Sequence, residues 1–201
     1  MKRVVSMISV TCVVSAVTVF AMQPPAGGGR AGAQGGTVGV ATSLQRAYQT
    51  FKRNYTEAAA KMPDADYSFK PGSTPEARSF AQVIDHITQA QFGQCSALSG
   101  QPNPTQGKQL EQELKTKAEV TKALADSFAL CDGLFNGVTD ANATETVKMG
   151  MNEVPRVVAL YGIIVHGNEM YGTAAVYLRS KNIVPPSTEN AGRGRRGGGH
   201  H

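Results

Sequence analysis

Cysteine is scarce in this chain of 201 residues: Cys12, Cys95 and Cys131 are the three, and no CxxC pair occurs. That removes any zinc-finger or thioredoxin-like signal. A basic excess is missing from most of the chain as well. The formal net charge is +5, yet setting aside Lys2, Arg3, Arg30, Arg193, Arg195 and Arg196 leaves 14 basic residues against 15 acidic ones. No electrostatic footprint for nucleic acid remains. Alternating β-branched runs between hairpin turns are lacking, so the body carries no strand signal. The uncharged stretch Val157–Val165 is far shorter than the roughly 20 residues a membrane-spanning helix needs.

What is present begins with an address. Lys2 and Arg3 precede the uncharged run Val4–Phe20, and Val19 and Ala21 take the −3 and −1 positions of a cleavage site. This is the pattern of a secretory signal peptide over residues 1–21, the other reading being an uncleaved anchor. The mature chain is then expected to start near Met22, to be exported to the periplasm or beyond, and to keep no membrane contact. Two cysteines stay in that mature chain. Spacing leaves open whether Cys95 and Cys131 join or stay buried thiols, and the buried role is the simpler expectation.

Residues 22–40 are glycine-rich and bury too little apolar area to offset their ordering entropy, so they read as a flexible linker. Residues 188–201, rich in Gly and Arg, read as a disordered tail; one RGG-like copy without aromatics is a weak RNA-binding motif. Between them the apolar spacing predicts four helices. The first covers about Thr42–Lys61, with Leu44, Tyr48, Phe51 and Tyr55 on one face. The second is expected over Pro75–Leu98, capped by Ser73 or Thr74, the third over about Lys108–Phe135, and the fourth over about Asn152–Lys181. The predicted fold is all-α, a four-helix bundle over residues 41–187.

Two histidines fall inside that body, His86 and His166. His86 sits on the flank of the second helix's apolar stripe. His166 precedes Met170 by four residues, which places both on one face of the last helix. Such a pair can share one ligand, although helical histidines and methionines are more often packing residues.

The stretches "SFAQVIDHITQAQFGQCSALSG" and "VHGNEMYGTAAVYLRSKNIVPPS" resemble the two signature helices of the DinB-like family of small four-helix bundles, and "YSFKP" resembles its connector. The resemblance implies a divalent metal, zinc or nickel, held by one histidine of the second helix and an HxxxH pair of the last. It also implies relatedness to enzymes that activate low-molecular-weight thiols such as bacillithiol and mycothiol, and a homodimer. Carried over by position, the ligands are His86, His166 and residue 170, which is Met170 here. A thioether is a softer, weaker donor than imidazole for zinc or nickel. Three outcomes stay open: the metal is lost; His86 and His166 keep a divalent ion with a neighbour such as Asp85 or Glu169; or His86, His166 and Met170 take copper(I). The matching Tyr171, Gly172, Tyr177 and Arg179 read as packing residues, the glycine allowing close helix approach. The functional expectation is a metal-dependent hydrolase or thiol transferase, the alternative a non-catalytic bundle that binds a small molecule.

Overall fold

A computed structural model describes residues 37–196, with side chains in the last helix as far as Ala191. The expected signal peptide, most of the linker and the last five residues lie outside the described residues. Six helices and one hairpin follow in the order α1 (Val40–Lys61), α2 (Phe80–Ser99), α3 (Leu110–Glu113), α4 (Lys117–Gly137), β1 (Thr146–Met149), β2 (Asn152–Pro155), α5 (Arg156–Ser180) and α6 (Pro186–Arg196). The molecule is predominantly helical. The four long helices close a ring of contacts, α2 on α4, α4 on α1, α1 on α5 and α5 on α2.

The predicted stripe of α1 is the heart of the core: Leu44, Tyr48, Phe51 and Tyr55 are buried. Tyr48 stacks on Phe135 of α4 with ring centres 3.8 Å apart, and its hydroxyl donates to Asp132 at 2.9 Å. Phe51 meets Phe128 edge-on at 5.4 Å. Rings at such separations add about 0.5–1.5 kcal/mol per pair beyond their area. Cys95 and Cys131 form a disulfide that ties α2 to α4, so the expectation of buried thiols gives way to a covalent link.

Three local expectations fail for physical reasons. Helix α2 starts at Phe80, not Pro75, because Ser79 and Gln82 form a reciprocal capping box. Its next free N–H groups are used by the connector: Phe80 donates to the carbonyl of Phe69 and Ala81 to that of Tyr67. The expected third helix is split, since Thr116 and Glu119 make a second capping box that begins α4 anew. Finally, a two-stranded antiparallel hairpin precedes α5, pairing Val147 with Val154. Its two-residue turn carries Gly150 at φ 63°, a conformation glycine adopts without a Cβ penalty.

Helix α6 occupies part of the segment read as a tail. It is tied back to the body: Asn190 donates to Glu57 at 3.1 Å, Lys61 pairs with Glu189, and the backbone N–H of Ser187 donates to the Tyr171 hydroxyl. Among the described residues no helix is long and apolar enough to cross a membrane.

Candidate functional site

The site lies where α2 passes α5. Gly167 sets the depth of α5 against α1, because a Cβ there would stand 2.3 Å from the ring of Phe51. With that face locked inward, the preceding residue, His166, turns toward α2. Its ring centre is 5.4 Å from that of His86, with the planes at 73°. Both side chains are about one-third exposed, at 30% for His86 and 33% for His166. The structure therefore brings together the two histidines singled out by the sequence.

Each histidine has a carboxylate on its Nδ1 side. Glu111 of α3 lies 3.0 Å from Nδ1 of His86, and its other oxygen accepts from Arg78 Nε at 3.0 Å. An ionised carboxylate can only accept, so in the neutral ring this contact favours the tautomer with its proton on Nδ1 and its lone pair on Nε2. The same outer partner orients histidine ligands in metal sites. Glu169 is a looser neighbour, 3.7 Å from Nδ1 of His166 and 76% exposed. Glu111 was not foreseen; it sits on a four-residue helix that no spacing rule relates to His86.

Met170 follows one turn after His166 on α5, half-buried and packed against the core. Asp85 is fully buried, and neither carboxylate oxygen has a hydrogen-bond partner. Burial pushes its carboxyl up to about 8, with Glu111 and Glu119 adding to the rise and Lys115 opposing it. Among the described residues, no group of three or more His, Cys, Asp and Glu side chains is arranged to hold a metal. Asp85 and Glu169 thus do not form such a group with the two histidines.

The two imidazoles themselves fit a cation. Rings bound through nitrogens about 2.1 Å from one metal have centres roughly 5 Å apart, close to the 5.4 Å found. A His, His, Met set suits a soft ion better than zinc. Beside the site, a cavity of about 290 Å³ is lined by Tyr67, Lys70, Gln82, Glu111 and Lys115 among others. Glu111 is shared between this cavity and His86, so a small molecule there would lie one side chain from the imidazole pair.

Of the four residues read as packing, Tyr171 receives the Ser187 N–H at 2.9 Å. Tyr177 donates to the carbonyl of Arg78 at 2.6 Å. Arg179 donates to Thr188 at 3.2 Å. Gly172 differs from the expectation: it is exposed, and a Cβ there would meet nothing within 4 Å.

Among curated proteins none matches the chain. Solved structures do. A DinB-like protein from Bacillus cereus ATCC 10987 superposes with a TM-score of 0.59 at 16% identity, over 71% of this chain and 93% of its own. A conserved protein from Enterococcus faecalis gives 0.54 at 18% identity, over 71% and 97%. A DinB-like protein from Bacillus subtilis gives 0.51 at 18%, over 70% and 92%. At these identities the likeness is one of fold. The profile of the DinB superfamily matches residues 47–169, a span that holds His86 and His166 and stops one residue before Met170. The chain belongs to the DinB superfamily.

Proposed function

We propose that this protein is an exported four-helix bundle that binds a metal ion through His86, His166 and Met170. The observation that carries the reading is the pair of facing imidazoles, with Glu111 holding His86 so that its Nε2 lone pair is available. Export is supported by the N-terminal sequence pattern and by the Cys95–Cys131 disulfide, a bond that persists in oxidising compartments. The ring of contacts among α1, α2, α4 and α5 supports the bundle.

Zinc and nickel are the ions the family resemblance implies; copper(I) is the ion that the Met170 thioether favours. A bound divalent ion would lower the pKa of a water or thiol, the chemistry of a metal-dependent hydrolase or thiol transferase. His86 is oriented by Glu111, His166 is placed by the seating of Gly167 on Phe51, and the adjoining cavity offers Lys70 and Lys115 to an anionic group.

Metal analysis of the purified protein tests this reading. Bound metal near one equivalent is expected, lost in His166→Ala and in His86→Ala. Met170→His should raise zinc affinity by roughly tenfold or more, since it replaces a neutral soft donor by imidazole. Metal-free protein of undiminished stability, with Met170→His equally empty, would favour a non-catalytic bundle. That second reading draws on the absence, among the described residues, of a group of three His, Cys, Asp or Glu donors.

A further inference from the structure

Asparagine followed two residues later by threonine occurs three times in the chain, at Asn54, Asn103 and Asn142. Such a triplet, with any residue but proline between, is the acceptor of N-linked glycans on surface loops of exported proteins. The structure separates the three. Asn54 lies inside α1, 7% exposed, next to the wholly buried Tyr55. A sugar there would have to enter the close-packed core, so the native fold admits none. Asn103 is followed by Pro104, whose ring fixes the backbone where an acceptor must turn. Thr105 is buried besides, and its hydroxyl donates to Asn103 at 3.0 Å.

Asn142 stands differently. It belongs to the turn over residues 140–144 between α4 and β1, where Asp140, Ala141 and Thr144 are exposed and Asn142 is partly so. Ala143 anchors this turn: it is buried, and its carbonyl accepts from the Val157 N–H at 2.8 Å. The triplet is thus held at the surface on a fixed stretch of backbone. Among the described residues the Thr144 hydroxyl has no hydrogen-bond partner, so it is open to an enzyme that reads it. Transferases of a bacterial periplasm also read a carboxylate two residues before the asparagine, and Asp140 supplies it.

The asparagine's own bonds are compatible with a sugar. Its Nδ2 donates to the Gly137 carbonyl at 3.0 Å, and its Oδ1 accepts from the Thr139 N–H at 2.8 Å. A glycosylated asparagine keeps one N–H on Nδ2 and the whole of Oδ1, so it retains a donor and an acceptor for this loop. Both bonds are exposed, and water can replace them while an enzyme acts.

We propose that Asn142 is an attachment site for an N-linked glycan, transferred on export from a lipid-pyrophosphate-linked oligosaccharide. In the transfer Nδ2 attacks the anomeric carbon of the first sugar. The N–C bond forms as the C–O bond to pyrophosphate breaks. The departing lipid pyrophosphate takes the electron pair, and Nδ2 gives one proton to a base of the transferase. The assignment rests on the export reading and is independent of the metal.

The test expresses the full chain in a bacterium furnished with a periplasmic N-oligosaccharyltransferase and its lipid-linked donor. Peptide mass spectrometry then reads the first residue of the chain and the modified residue together. The expected product begins near Met22 and carries one glycan on Asn142, with none on Asn54 or Asn103. Thr144→Val leaves the bonds of Asn142 in place and should abolish the glycan, whereas Thr144→Ser should keep it. Circular dichroism of both variants should match the parent. A chain that begins near Met22 without sugar overturns the assignment and leaves export standing. So does a glycan on Asn54 instead, or one that survives Thr144→Val. A chain with its leader intact overturns export and this assignment together.

Discussion

Asp85 illustrates how much one side chain can decide. It is fully buried without a hydrogen-bond partner, next in sequence to His86, and its carboxyl is pushed from 3.8 up to about 8. Because folding favours the protonated acid, its contribution to stability is complete below the ordinary Asp value. It is lost as pH rises toward about 8, where the folded group ionises at last. Urea denaturation of chelator-treated protein should show stability falling across that window. Asp85→Asn should flatten the fall and stabilise the protein at the alkaline end; an unaltered slope would mean that water reaches the carboxylate. Gly167 acts by having no side chain. Its Cβ would collide with the Phe51 ring at 2.3 Å, so Gly167→Ala should cost about 1–3 kcal/mol in chemical denaturation, the usual toll of overpacking. A variant as stable as the parent would mean that α5 can shift outward freely.

At the level of elements, the disulfide matters most. It closes a loop between α2 and α4 with a sequence separation of 36 residues. Loop-closure entropy then assigns it about 3–4 kcal/mol. Reduction, or the paired change Cys95→Ala/Cys131→Ala, should lower the unfolding free energy by an amount in that range. A loss below 1 kcal/mol would show that packing alone holds the two helices. The same elements show what could be read in advance. Tyr48, Phe51 and Tyr55 revealed α1 because a helix facing a core must repeat apolar residues near every third or fourth position. That rule is blind to breaks between two segments that both obey it. Leu110 and Val120 look continuous, and the Thr116–Glu119 capping box that interrupts them is a local hydrogen-bond choice. The hairpin escaped because four-residue strands leave Val147 and Val154 as almost its whole pattern. His86 and His166 came together through family likeness, since nothing local links two positions so distant along the chain. Glu111 had no sequence signal at all, being placed by the loop that carries α3.

For the whole molecule, binding and folding are linked. A ligand that recognises only the native state stabilises it by an amount set by its concentration relative to its Kd, about 2.7 kcal/mol at a hundredfold excess. Calorimetric melting should therefore move upward when the preferred ion is added to stripped protein, and His86→Ala should abolish the shift. A melting point indifferent to zinc, nickel and copper(I) alike would count against a site at the α2–α5 crossing. The short hairpin before α5 has a practical corollary of its own. Its tip at Met151 is 102% exposed, while beyond the strands Arg156 and Val157 donate backbone hydrogen bonds to Glu145 and Ala143. A peptide tag grafted between Gly150 and Met151 would thus hang in solvent on an anchored stem.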